Sequence, residues 1–158
     1  MFLKRWAGGS FGDIGWLIVR VTFGLLLMTH GYAKLFGATP DGGRMIEGFA
    51  KGAVEPLGFP VPLFFAYMAA LAEFAGGLFV ALGLFTPVAA LFAAFTMAIA
   101  VWHHMGQGDP LKVFELGLIY LAISLGAMLI GGGRYSLDRI LRTPFRPADR
   151  TDSASRSS

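Results

Sequence analysis

The charged side chains Arg20, Lys34, Glu73 and Glu115 fall inside long apolar runs of this 158-residue chain. A charge placed in hydrocarbon costs several kcal/mol, so each must face a partner, another helix or water. The residues Arg20, Gly24, Leu27, Gly31 and Lys34 are spaced alternately by four and three, which puts them on one stripe of a helix, and His30 lies on the edge of that stripe. Glu73 sits among Ala66, Ala69, Ala70, Gly76 and Gly77, small residues that let helices approach closely. Two further small or polar stripes follow: Ala89, Ala93, Thr96, Ala100 and His103, then Glu115, Leu118, Ala122 and Leu125. Four such faces can enclose one polar interior.

That interior offers two kinds of chemistry. By depth, Arg20 and Glu73 can meet as an intramembrane ion pair that locks two helices and needs no catalytic purpose. Alternatively, Glu73 handles protons. Nearer one surface, His30 and Lys34 end the first apolar run, His103 and His104 end the third, and Lys112 and Glu115 open the fourth. Imidazoles beside amines and a carboxylate suit proton exchange with a bound redox molecule, so His30, Lys34 and Glu73 are the candidate catalytic groups. Arg20, His30, Lys34, His103 and Glu115 are the candidate cofactor contacts. For any single histidine, hydrogen-bonded packing or plain interfacial exposure is the favoured account. Haem between His30 and His103 is disfavoured, because Lys34 and Lys112 would crowd the iron ligands. No metal site is expected, since adjacent His103 and His104 lack the spacing that aims two imidazoles at one ion.

The elements that position these groups are four apolar runs, at about residues 14–36, 61–84, 87–104 and 111–130. Each is long enough to span a bilayer. Apolar residues make up 55% of the chain and charged residues 15%, too little charge for a soluble domain of this size. The fold class is therefore all-α: an integral membrane four-helix bundle. Thr86-Pro87 and Asp109-Pro110 each read as a capping side chain before a proline at a helix start. Between the first two spans, Met45, Ile46, Phe49, Ala50, Ala53 and Val54 recur at helical spacing and predict a short helix in the first outer loop. It either lies at the membrane interface or packs on the bundle.

The net charge of +3 is concentrated at the ends, with Lys4 and Arg5 before the first span and Arg134, Arg139, Arg142 and Arg146 after the last. That pattern fits an anionic membrane surface, not nucleic acid, and places both termini in the cytoplasm. The expected organisation is a cytoplasmic segment over 1–13, the four-span domain over 14–138, and a basic, largely disordered tail over 139–158. Just before the tail, Arg134 and Asp138 are four apart and can brace each other. No cysteine is present, so the chain by itself supports no thiolate relay.

The motifs Thr29-His30-Gly31-Tyr32-Ala33-Lys34-Leu35-Phe36, Glu73 followed by Gly76-Gly77, and Gly133-Arg134-Tyr135-Ser136-Leu137-Asp138 together resemble the DoxX family, over about residues 15–138. The resemblance implies a small four-helix inner-membrane protein tied to redox chemistry, one that meets quinone or recruits a soluble oxidoreductase, with Arg20, His30, Lys34, Glu73 and His103 as its working positions. The family it resembles is described as including relatives of the quinone-reducing subunit of a thiosulfate oxidoreductase and membrane partners of soluble sulfurtransferases or superoxide-detoxifying enzymes. Any electrons must come from a partner, so the chain would be at most half of an enzyme. The competing expectation is a non-catalytic membrane scaffold or accessory subunit, in a homo-oligomer or a larger complex, whose buried charges only fix the bundle. A permease is disfavoured for want of inverted repeats and broken spans.

Overall fold

A computed structural model describes residues 10–142. Lys4, Arg5, Arg146 and the tail beyond residue 142 lie outside the described residues. Four helices are long and apolar enough to cross a membrane: α1 (Ser10–Phe36), α3 (Pro62–Leu82), α4 (Thr86–Gly106) and α5 (Leu111–Ile130). Two short helices accompany them, α2 (Met45–Phe49) in the long connection and α6 (Leu137–Arg142) after the last span. Helix α6 crosses the boundary drawn at residue 138. The α1–α3 connection and the α4–α5 loop share one end of the bundle, here the connector end. The α3–α4 turn and α6 share the other, the terminal end.

Helix α1 packs chiefly on α3, α3 on α4, and α4 on α5, while α5 returns only lightly to α1. The α1–α3 contact is close because glycines meet backbone. A Cβ on Gly24 would stand 2.5 Å from the Gly77 carbonyl oxygen, and one on Gly77 would stand 2.6 Å from the Gly24 carbonyl oxygen. With little hydrophobic drive between helices in lipid, such backbone proximity and the packing it allows hold the pair together. The stripes expected on the first two spans are the packing faces: Arg20, Gly24, Leu27 and Gly31 on α1, and Ala66, Ala70, Glu73, Gly76 and Gly77 on α3, are buried.

Helix α5 does not follow its expected face. Tyr120, Ser124 and Ala127 are its buried residues, whereas Glu115, Leu118, Ala122 and Leu125 are exposed. Apolar side chains ring this helix, so lipid and core residues look alike in its sequence. On α4 the buried face is Ala89, Ala90, Ala93, Ala94, Met97 and Val101, with Thr96, Ala100 and His103 only part-buried.

Helix α2 continues through a π turn (Ala50–Val54) and a 3-10 turn (Glu55–Leu57). Its apolar side, Ile46, Ala50 and Val54, is buried against Ala66 and Ala70, with Leu35 and Phe49 packed alongside. The segment thus packs on the bundle, and Arg44 bonds the Tyr67 hydroxyl to hold it over the start of α3.

The terminal end is closed by a cap that sequence spacing misassigns. Helix α4 opens at Phe85, held at φ 46°, and its free amides are bonded by the Asp138 carboxylate: Phe85 N at 3.0 Å and Thr86 N at 3.3 Å. A carboxylate at a helix N-terminus satisfies unpaired N–H groups and complements the positive end of the dipole. Asp138, 52 residues downstream, therefore does what Thr86 was expected to do, and the Thr86 hydroxyl is buried without a protein partner. Asp138 is consequently not the brace of Arg134, whose guanidinium lies 3.7 Å from Asp13. Asp109 likewise caps nothing: α5 starts after Pro110 with no side-chain cap.

Candidate functional site

Side-chain direction decides which charges meet. Every Cα–Cβ bond in a helix leans toward its N-terminus, so Lys34 reaches back along α1 toward Gly31. Gly31 itself packs on Ala70 and Phe74, which brings Glu73 level with it. The Lys34 ammonium accordingly donates to both carboxylate oxygens of Glu73, at 2.5 and 2.6 Å. Glu73 is 1% exposed and Lys34 25%. The Phe49 ring lies 4.6 Å from the ammonium, so the end of α2 covers the pair with an aromatic face.

The same lean carries Arg20 away from Glu73, and the expected Arg20–Glu73 pair is not made. Arg20 instead donates to the carbonyls of Val80 (2.6 Å) and Ala81 (2.9 Å) at the end of α3, and to Tyr135 O at 2.8 Å. Terminal carbonyls of a helix lack intrahelical donors and carry the negative end of its dipole, which suits a forked cation. Gly83 makes room: its φ is +70°, and a Cβ there would stand 2.5 Å from the Arg20 guanidinium. Arg20 is thus a staple between α1, the α3–α4 turn and the segment before α6.

Around the Lys34–Glu73 pair, the structure adds a residue that spacing did not single out. Tyr120 of α5 is buried and meets Phe23 and His30 edge-on, with ring centroids at 5.5 and 5.7 Å. A tyrosine in the middle of an apolar span was the available signal, since its hydroxyl sets it apart from its neighbours. His30 is exposed, on the thinly packed seam between α1 and α5. His30 and Tyr120 thus meet across that seam, one turn along α1 from Lys34, whose partner Glu73 belongs to α3.

The remaining expected residues lie elsewhere. His103 makes its ring contact with His104, at 5.6 Å, and His104 Nδ1 is 2.7 Å from the Asp109 carboxylate. Glu115 is exposed on the outer side of α5. Among the described residues no cluster of His, Cys, Asp and Glu is arranged to hold a metal.

The DoxX family model matches residues 15–105. The chain belongs to the DoxX family. It is also 32% identical, over 133 residues, to the inner membrane protein YqjF of Escherichia coli (strain K12), an alignment covering 82% of this chain and 93% of that relative. No solved structure matches. Together with the four apolar helices, these similarities make this DoxX protein a multi-pass inner-membrane protein. The DoxX match contains Arg20, His30, Lys34, Glu73 and His103, and ends before Glu115, Tyr120 and Asp138.

Proposed function

We propose that this DoxX protein is the membrane subunit of a redox system, contacting quinone at the α1–α5 seam while a soluble oxidoreductase docked on the cytoplasmic side supplies electrons. Both termini are cytoplasmic in this reading, and the connector end faces outward. The observation that carries it is His30: an exposed imidazole backed by Tyr120, one helical turn from the Lys34 that pairs with buried Glu73. The donor set fits a quinone head, which presents two carbonyl acceptors and an apolar ring. Quinone supplies acceptance of two electrons coupled to two protons. His30 holds or delivers a proton at its ring nitrogen, Tyr120 fixes the edge of that imidazole, and Lys34 and Glu73 provide a fixed dipole whose partly exposed end opens beside Phe49.

The test is mass analysis of a solvent extract of the gently purified protein, beside its His30→Ala variant. Near-stoichiometric quinone in the wild type, lost in the variant, is the expected result. Bulk lipid alone in both refutes it.

A second reading, a scaffold or accessory subunit, is favoured by Arg20: its buried guanidinium braces the fold through three backbone carbonyls. In that case His30→Ala keeps both partner assembly and electron transfer.

A further inference from the structure

We propose that two copies of this chain associate side by side in the membrane through α5, with Lys112 of each copy facing Glu115 of the other. Helix α5 is 20 residues long, and at 1.5 Å per residue it spans about 30 Å, the thickness of the hydrocarbon layer. Its start therefore lies at the edge of that layer, and Glu115 lies about one turn inside it. Lys112 and Glu115 are both exposed, and among the described residues neither takes part in a salt bridge or side-chain hydrogen bond. A lysine can extend its long stem to the interface, but a glutamate cannot reach as far, so Glu115 is a carboxylate held against lipid with no ion-pair partner among the described residues.

Position on the helix turns this into a surface. At 100° per residue, Glu115 shares its side of α5 with Lys112, Leu118, Ile119, Ala122 and Leu129, all exposed, and lies opposite Ser124, which is buried. One cation and one anion, about 4.5 Å apart along the axis, sit at one end of an apolar strip. Copies inserted in the same direction present parallel α5 helices related by a two-fold axis, and that operation brings each lysine opposite the other copy's glutamate. The patch is complementary to itself, which favours a second copy over a partner of single charge sign. Polar pairing between helices is worth more where the alternative is lipid. This inference is independent of the redox reading.

The test co-expresses two differently tagged full-length chains and measures co-purification in mild detergent. Wild-type copies are expected to associate. Lys112→Glu alone and Glu115→Lys alone, each paired with itself, place like charges together and should weaken association by roughly tenfold. A Lys112→Glu chain mixed with a Glu115→Lys chain restores both pairs and should recover it. Thermal unfolding of each purified variant checks that these surface changes leave the fold intact. Separate wild-type copies, self-association of the single variants at wild-type strength, or failure of folded mixed variants to recover would each overturn the proposal. A lipid or an unrelated protein on this face gives the first pattern, and association of copies through another face gives the second.

Discussion

Breaking the Lys34–Glu73 pair from its two sides should give unequal losses. In Lys34→Met the Glu73 carboxylate, 1% exposed, keeps its charge with no partner. Removing one member of a buried pair this way costs about 3–5 kcal/mol, most of it from the stranded charge. In Glu73→Gln the stranded group is Lys34, which is 25% exposed and can swing its ammonium toward water beside Phe49. The loss should then be about 1–2 kcal/mol, close to that of an ordinary buried hydrogen bond. The double variant Lys34→Met with Glu73→Leu removes both charges and fills the space, so it should lie within about 1–2 kcal/mol of wild type. At about 2–4 °C per kcal/mol for a chain of this size, Lys34→Met should melt about 6–20 °C lower. Thermal unfolding in a fixed detergent, followed by helix circular dichroism, measures all three. A Lys34→Met no worse than Glu73→Gln, or a double variant as unstable as Lys34→Met, would refute the argument that a stranded Glu73 charge dominates.

Gly24→Val puts a side chain into the Gly77 carbonyl, so α1 and α3 must separate, with a loss of about 1–3 kcal/mol in the same melt; Gly126→Val, where nothing lies within reach, serves as the silent control. Asp138→Ala uncaps α4 and should cost about 1–2 kcal/mol, with faster amide exchange at Phe85 and Thr86. Arg20→Lys keeps the charge but cannot bridge Val80, Ala81 and Tyr135 with a planar fork, so it should resemble Arg20→Met in stability, not wild type. In the long connection, the Thr39 hydroxyl and then backbone amides hold the Asp41 carboxyl below its usual range. A depressed folded value means the turn's contribution is present at neutral pH and lost as pH falls through that value; a carbon-detected titration should show Asp41 moving back up in Thr39→Val.

The spans and the α1–α3 face were legible because lipid demands continuous apolar length, while helix contact demands small residues at a fixed period. Glu73 on a packing face followed from Gly76 and Gly77. Its partner did not, because depth along two antiparallel helices places Arg20 and Lys34 almost equally well, and only the lean of side chains toward each helix N-terminus separates them. The cap on α4 was hidden by its 52-residue separation from Asp138: spacing reveals local caps such as Thr86 would make, not ones supplied by another element. Helix α5 misled because a helix facing lipid on most sides has no polar face to contrast with a core, so Tyr120 was passed over and Glu115 was turned inward. The short helix was visible from its period, but its docking on Ala66 and Ala70 depended on a second element.

The staple and the pair also bear on biosynthesis. As α1 leaves the ribosome, Arg20 and Lys34 have no acceptors, since Val80, Ala81 and Glu73 all belong to α3. A lone helix carrying these two unpaired cations is less favourable to insert, and α3 relieves that cost as soon as it emerges. The first two spans are therefore expected to enter the bilayer as a hairpin, with the glycine contact and both cations settled together. The terminal end waits longer: α4 gains its cap, and Arg20 its third carbonyl, only once residues 135–138 have been made.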